Sequence, residues 1–222
     1  MALTIAIDGP VGSGKTTVAR ALAQSLGILH LDTGAMYRAL ALKAAREGID
    51  PQDDTAAEAL ARRTRIDVEP CEGGQRVFLD GEDVTSLIRT PQVSALASSI
   101  STVAAVRARM VALQRRYAEQ TDMVLDGRDI GTRVLPDASF KFYLAAPPAV
   151  RAKRRYDEER ARGLDTTYGQ VYSDLLARDL RDTQREADPL RVASGARVIE
   201  TESMDLHGVV SRLMRIIQEG RA

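Results

Sequence analysis

The chain has 222 residues, of which 44% are hydrophobic, enough to bury the core of one large domain. Its 31 lysines and arginines balance 31 aspartates and glutamates, so a net charge of 0 gives no general argument for binding nucleic acid or a membrane. A single cysteine, Cys71, with two histidines excludes an intramolecular disulfide and a four-cysteine zinc site.

The first elements are a short apolar strand over residues 3–8 and the loop that follows it. Residues 9–16 read Gly-Pro-Val-Gly-Ser-Gly-Lys-Thr, which fits G-x-x-x-x-G-K-[ST], and an apolar-periodic helix follows over residues 17–26. Glycines let a backbone wrap closely around a triphosphate, and the N–H groups that open the helix point at its oxygens. We therefore expect Lys15 to reach the β and γ phosphates and Thr16 to bind Mg²⁺; the alternative is a glycine-rich turn that binds nothing. The predicted ATP-binding residues of this loop are Gly9, Pro10, Val11, Gly12, Ser13, Gly14, Lys15, Thr16 and Thr17.

Four further apolar runs lie at residues 28–31, 123–125, 140–144 and 198–199, and helical patterns alternate with them. Alternation of strands and helices predicts an α/β fold with a parallel central sheet and helices on both of its faces. Ligands bind such sheets beyond the carboxyl ends of the strands, where the phosphate loop lies. The sequence therefore predicts one nucleotide crevice along that edge.

Between residues 65 and 84 the pattern changes to short extended runs separated by turns. Residues 66–69 alternate, residues 72–75 form a turn, residues 77–79 are extended, and Asp80-Gly81 is a hairpin signal. We predict a small antiparallel β insertion at about 65–84 in a single domain whose core comprises residues 1–64 and 85–222. The insertion has no catalytic signature, so it is either a cover or specificity element or a purely structural lobe.

An acidic motif follows the apolar run at residues 123–125. Asp126 has the position of a Walker B acid and is expected to hold Mg²⁺ through water, although a simple strand-terminating Asp-Gly turn is the alternative. Arg128 and Asp129 then bring a cation and an anion to the edge of the predicted crevice.

Two later segments, residues 151–162 and 178–185, are rich in arginine. Each alone is typical of a solvated helix face with i, i+4 ion pairs, and that alternative stays open. Beside a phosphate loop, arginine forks are also suited to neutralising the oxygens of a phosphoryl group in transfer.

Several of these motifs stand in one order along the chain. They are Ile7-Asp8-Gly9-Pro10 with the rest of the phosphate loop, Leu-Asp-Thr-Gly-Ala-Met-Tyr-Arg at 31–38, Asp-Gly-Arg-Asp-Ile-Gly-Thr at 126–132 with Leu-Pro-Asp-Ala at 135–138, and residues 178–185 with Pro189-Leu190. In this order and over nearly the whole chain, the sequence resembles the bacterial cytidylate kinase family of P-loop nucleoside monophosphate kinases. The insertion is similar to that family's monophosphate-side insertion.

The resemblance implies a base site made of Ser98, Arg107 and Asp129. Cytosine presents an exocyclic amine as donor, with N3 and O2 as acceptors. Asp129 would accept from the amine while Arg107 and Ser98 donate, and uracil would leave this set partly unpaired, at about 1 to 3 kcal/mol for each buried unpaired group.

The resemblance also assigns the other substrate contacts and a lid. It places Arg38, Arg128 and Arg185 at the acceptor phosphate, Arg178 and Asp182 at the ribose, and Thr33 and Tyr37 in the lining of the pocket. The charged residues implied to take part in catalysis are Lys15, Arg128, Arg178 and Arg185. Arg154 and Arg155 would contact ATP from a lid at about 151–166.

The implied reaction is phosphoryl transfer from MgATP to CMP or dCMP, with Mg²⁺ as cofactor. One alternative is a P-loop kinase for another monophosphate, a sugar or shikimate, in which Asp32 or Asp129 would take the proton of an alcohol acceptor. Another is a regulatory NTPase, although the sequence contains no Asn-Lys-x-Asp segment of the kind that GTPases carry.

The start of the chain lacks the basic residues of a secretory signal, and no apolar run approaches the length that spans a bilayer. We expect a cytoplasmic monomer whose partners are the small molecules ATP and CMP or dCMP, with no nucleic-acid or membrane partner.

Overall fold

The computed structural model describes residues 2–221, and its central element is a parallel sheet. The five strands of this sheet are β1 (Thr4–Asp8), β2 (Leu29–Asp32), β6 (Met123–Gly127), β7 (Phe140–Ala145) and β8 (Arg197–Glu200). They lie in the order β2-β6-β1-β7-β8, with β1 in the middle and β2 at one edge. The parallel α/β fold expected from the apolar runs is confirmed.

Helices cover both faces of the sheet. They are α1 (Lys15–Leu26), α2 (Thr33–Glu47), α3 (Asp54–Arg63), α4 (Pro91–Ile100), α5 (Ala104–Ala118), α6 (Pro148–Ala161), α7 (Tyr168–Gln184) and α8 (Leu206–Glu219), with a 3₁₀ turn at Leu87–Arg89 and a π-helical turn at Ile130–Val134. Because side chains alternate along a strand, Ile5 and Ile7 of β1 pack with α1 and α8, whereas Ala6 packs with α2 and α5 on the opposite face. A strand buried on both faces needs an unbroken apolar run, as β1 has.

The insertion is a three-stranded antiparallel sheet. Its strands are β3 (Ile66–Cys71), β4 (Gly74–Leu79) and β5 (Glu82–Asp83). Asp80 and Gly81 both have positive φ, as a two-residue hairpin turn of type I′ requires. Val77 and Leu79 point to the same core cluster as α2 and α5, so the insertion packs on the main body through one face of β4.

Within residues 2–221, no single helix is long and apolar enough to cross a bilayer. Of the helices in this range, α4 and α5 together have that length and apolar composition, but they meet at a bend of 104°.

Candidate active site

The loop after β1 has the geometry of a phosphate cradle. Gly12 has a φ of +74°, and a Cβ there would stand 3.0 Å from the carbonyl oxygen of Arg151. A Cβ on Gly9 would collide with the carbonyl oxygen of Leu144. Both positions therefore require glycine, because the loop folds tightly against β7 and α6.

The N-terminus of α1 opens toward the loop without a side-chain cap or an acidic residue in its first turn. Its first N–H groups are therefore available to an anion. The Lys15 ammonium donates to the carbonyl oxygen of Pro10 at 3.0 Å. Burial, and then the neighbouring Arg128 guanidinium, hold the pKa of Lys15 well below its usual value. An anion bound here would relieve both effects.

Oxygen donors suited to a hard cation lie beside this helix. The Thr16 hydroxyl donates to Asp126 Oδ2 at 2.6 Å, and the His30 ring nitrogen Nε2 lies 2.7 Å from Asp126 Oδ1. Among the described residues, no group of three or more His, Cys, Asp or Glu side chains is arranged to hold a metal. A pair of protein oxygens completed by nucleotide phosphates and water is how Mg²⁺ is usually bound, so Thr16 and Asp126 fit this ion.

A second cluster centres on Arg107, which is 1% exposed. Its Nη2 donates to Asp129 Oδ2 at 2.5 Å and its Nε to Asp188 Oδ2 at 3.1 Å. The guanidinium carbon lies 5.7 Å from the centre of the Tyr37 ring. Burial lowers the pKa of Arg107, but Tyr37 and Asp129 outweigh burial and raise it. Arg107 therefore stays charged and fixes the orientation of the Asp129 carboxylate.

Three arginines and one aspartate lie between the two clusters. Arg128 Nε donates to Asp182 Oδ2 at 2.7 Å. Arg178 has a buried Nε with no hydrogen-bond partner among the described residues, and burial, followed by Arg128, lowers its pKa to about 10. Burial and Arg107 lower the pKa of Arg185. The three arginines outnumber the one aspartate, so this part of the site has a net positive charge that favours binding of an anion.

A further basic side chain, Arg38, lies in the N-terminal half of α2. Its Nη2 donates to Asp32 Oδ2 at 2.7 Å, and Asp32 Oδ1 caps the helix by accepting from the N–H of Ala35 at 3.2 Å. Burial raises the pKa of Asp32, but Arg38 and His30 outweigh burial, so the pKa is lowered. The next residue, Thr33, donates its hydroxyl proton to the carbonyl oxygen of Asp126 at 2.7 Å.

One cavity of about 710 Å³ runs from the phosphate loop past these arginines to the Arg107 cluster, and eleven basic but only six acidic side chains line it. The neutral chain thus concentrates positive charge at this one place. The predicted site residues that line it are Val11, Gly12, Ser13, Gly14, Lys15, Thr16, Thr17, Thr33, Tyr37, Arg38, Arg107, Asp126, Arg128, Asp129, Arg154, Arg155, Arg178, Asp182 and Arg185. Gly9, Pro10 and Ser98 do not line it.

A family model described as cytidylate kinase matches residues 5–219. The chain belongs to the cytidylate kinase family. It is 49% identical to the cytidylate kinase of Pelotomaculum thermopropionicum over 218 residues, which cover 98% of this chain and 96% of that protein. It is 44% identical to the cytidylate kinase of Caldicellulosiruptor bescii over 214 residues, 96% of this chain and 95% of that protein.

Solved structures support the fold. An uncharacterised protein from Eubacterium ventriosum aligns with a TM-score of 0.55 at 16% identity, over 97% of this chain and 98% of that one. Shikimate kinase from Bacteroides thetaiotaomicron aligns with a TM-score of 0.52 at 13% identity, over 98% of this chain and 99% of that one. At such low sequence identity, these alignments support the same fold but say nothing about the substrate.

Ser98 has a different setting from the one that the cytidylate kinase resemblance implies. It lies buried on α4, and its hydroxyl oxygen accepts from Arg181 Nε at 3.1 Å. Its neighbours Ala97 and Ser101 line the cavity. A direct contact from Ser98 to a base thus stays a prediction, although Arg181 leaves the hydroxyl proton free to donate.

The arginines of the predicted lid include two that anchor α6 to neighbouring segments and one that pairs within α6. Arg154 donates to the Thr201 hydroxyl at 3.1 Å and to the Thr201 carbonyl oxygen at 2.6 Å, and Arg155 pairs with Glu159 at 2.7 Å. Arg151 is buried and donates to the carbonyl oxygen of Val11 in the phosphate loop at 2.9 Å. The first turn of α6 is thus fixed to the loop, so any lid motion has to begin beyond it.

Sequence reasoning assigned no role to several residues that shape this site. Asp8 is 3% exposed, and its two carboxylate oxygens accept from the N–H groups of Ile130 and Gly131, both at 2.8 Å. His30 holds Asp126, and Arg20 lines the cavity. Asp8 and His30 could have been noticed because each is a charged or polar residue in an otherwise apolar strand. Such a side chain needs a hydrogen-bond partner when it is buried.

Proposed function

We propose that this member of the cytidylate kinase family transfers the γ-phosphoryl group of MgATP to CMP and dCMP, giving CDP or dCDP and ADP. The observation that carries the proposal is a continuous basic cavity that runs from the phosphate loop to the Arg107–Asp129 pair. A nucleotide donor fits one end of this cavity and an anionic acceptor with a base fits the other.

On the donor side, the loop amides and Lys15 hold the β and γ phosphates of ATP. Thr16 and Asp126 would hold Mg²⁺, which would neutralise part of the charge on the phosphates of ATP. Arg154 and Arg155 lie at the same cavity and belong to the proposed ATP-side lid.

On the acceptor side, the CMP phosphate is proposed to meet Arg38, Arg128 and Arg185. Arg128 and Arg38 are already oriented by Asp182 and Asp32, so little side-chain entropy is lost when a phosphate binds. The remaining proposed contacts are Arg178 and Asp182 to the ribose, with Thr33 and Tyr37 lining the pocket.

The base is proposed to be read by Asp129, Arg107 and Ser98. Asp129 Oδ2 is engaged by Arg107, whereas Oδ1 has only a long contact of 3.5 Å with Arg185. Oδ1 therefore keeps lone pairs that can accept from the exocyclic amine of cytosine. The uracil carbonyl at the same position would face a carboxylate without a proton between them.

No general base is needed, because the attacking phosphate is already largely ionised near neutral pH. Catalysis then consists of positioning two anions that repel each other and of stabilising the charge on the transferring group, in which Lys15, Arg128, Arg178 and Arg185 take part. The lid at residues 151–166 would close over the bound substrates and exclude water, which otherwise competes as an acceptor.

The test is turnover with CMP, dCMP, UMP, AMP and shikimate at fixed MgATP, measured as ADP release and as the phosphorylated product. We expect CMP and dCMP to be the best acceptors. Preference for another monophosphate or for shikimate would refute the substrate assignment, and slow ATP hydrolysis that no acceptor stimulates would favour the regulatory NTPase. Light scattering on purified protein tests the proposed monomer.

A further inference from the structure

Gln75 occupies an unexpected place in the insertion. Along β4 the buried residues alternate with more exposed ones, and Gln75 shares the buried face with Val77 and Leu79. A side-chain amide on an apolar face is costly unless both its donor and its acceptor are satisfied. The position therefore calls for a specific partner.

The partner is the backbone of Asp32. The Asp32 N–H donates to Gln75 Oε1 at 2.8 Å, and Gln75 Nε2 donates to the Asp32 carbonyl oxygen at 3.2 Å. Because β2 is an edge strand, its outer backbone groups have no neighbouring strand in the sheet. The Gln75 amide takes the place of such a neighbour at the last residue of β2.

The position of the Asp32 backbone, held by Gln75, in turn affects the acceptor end of the cavity. Its carboxylate caps α2 and accepts from Arg38, so its backbone position decides where the Arg38 guanidinium stands. On the other side of Gln75, the turn at Gly74 lies against Arg20, 3.6 Å from where a Cβ on Gly74 would be. Arg20 lines the same cavity and has a buried Nε without a hydrogen-bond partner among the described residues.

We propose that Gln75 is a positioning residue that joins the β insertion to residues 32–38 and sets the place of the Arg38 guanidinium for the acceptor phosphate. The insertion is then a specificity element for the acceptor, rather than a purely structural lobe. This inference rests on the proposed function, since it concerns the monophosphate that Arg38 would bind.

The test compares Gln75→Leu and Gln75→Glu with a matched control. Leu has a similar volume and makes neither bond, whereas Glu can accept from the Asp32 N–H but cannot donate to its carbonyl oxygen. Arg76→Gln is the control, because Arg76 is the next residue of β4 but is exposed and pairs only within the insertion, with Asp83. Dissociation constants for CMP and for a non-hydrolysable ATP analogue are measured by calorimetry, with folding checked by circular dichroism.

We expect Gln75→Leu to weaken CMP binding about tenfold, Gln75→Glu by a similar or smaller factor, and both to change binding of the ATP analogue less than twofold. The control should change neither. Unchanged CMP binding in the Gln75 variants, or equal losses for CMP and the ATP analogue, would overturn the proposal. If the leucine variant does not fold, the glutamate variant decides.

A double-mutant cycle with Arg38→Ala tests the route of the effect. In the Arg38→Ala background, Gln75→Glu should cause little further loss of CMP binding, because the two residues act through one contact. Additive losses would show that Gln75 acts elsewhere. A wild-type protein that neither binds nor phosphorylates CMP would refute the proposed function itself, whereas an active wild type with unaltered Gln75 variants refutes only the role of Gln75.

Discussion

Replacement of Asp129 by alanine should separate recognition of the base from binding of ATP. Asp129 is 6% exposed, and its Oδ1 is the atom proposed to accept from the cytosine amine. A hydrogen bond to a charged group contributes about 1.5 to 3 kcal/mol, which corresponds to a loss of roughly 10-fold to 150-fold in kcat/KM for CMP. UMP should lose much less, because the unfavourable carboxylate–carbonyl contact disappears with the side chain.

The assay is kcat/KM for CMP and UMP with saturating MgATP, together with the dissociation constant of an ATP analogue. Asp188→Asn is the matched control, because Asp188 also accepts from Arg107 but does not line the cavity. Asp188 has a φ of +49°, which asparagine tolerates well. Equal losses for CMP, UMP and ATP in Asp129→Ala would refute the base-reading role. If Asp188→Asn also lost selectivity for CMP over UMP, that selectivity would be assigned to Arg107.

Three further outcomes are expected. Arg185→Ala should lower kcat about a hundredfold with little change in ATP affinity, and an unchanged kcat would exclude a catalytic charge at this position. Thr16→Val should raise the half-saturating Mg²⁺ concentration at least about tenfold, while Thr16→Ser retains the wild-type value; equal values for both would remove Thr16 from the metal site. Burial raises the pKa of Asp8 to about 6, so the folded protein binds more protons than the unfolded chain between about pH 4 and 6, and stability should fall by about 3 kcal/mol as pH rises through that range. Asp8→Asn should remove this slope in urea titrations, and an equal slope in both proteins would contradict the assignment.

The sequence was sufficient for the fold class because short apolar runs, as in β1 and β6, alternate with helical patterns along the chain. It was also sufficient to name the phosphate loop, since a tight turn of the kind seen at Gly12 leaves little choice of residue. The Asp80-Gly81 hairpin could also be predicted, because only a few residue types adopt positive φ at two successive positions.

The rest of the site depends on contacts between residues far apart in the chain. Arg107 and Asp129 are separated by 22 positions, and Asp8 and Ile130 by 122, so no local pattern connects them. Gln75 reads as an ordinary polar residue in a strand until β4 is seen against β2. For Ser98 the role comes from the resemblance alone and stays a prediction, and nothing in the sequence indicated that its hydroxyl oxygen accepts from Arg181.

The charges of the free site explain why an anionic acceptor is required. Arg38 and Arg128 each have one carboxylate partner and Arg107 has two, Asp129 and Asp188. These carboxylates hold the guanidinium groups in place and leave other N–H groups for a ligand. Lys15 and Arg178 instead have lowered pKa values, first because of burial and then because of Arg128. An uncharged acceptor such as a sugar would leave the repulsions at its end of the cavity in place, whereas the triphosphate of ATP and the phosphate of CMP together would reduce them at both ends. Affinity for each nucleotide should therefore rise when the other is bound, and fall with added salt.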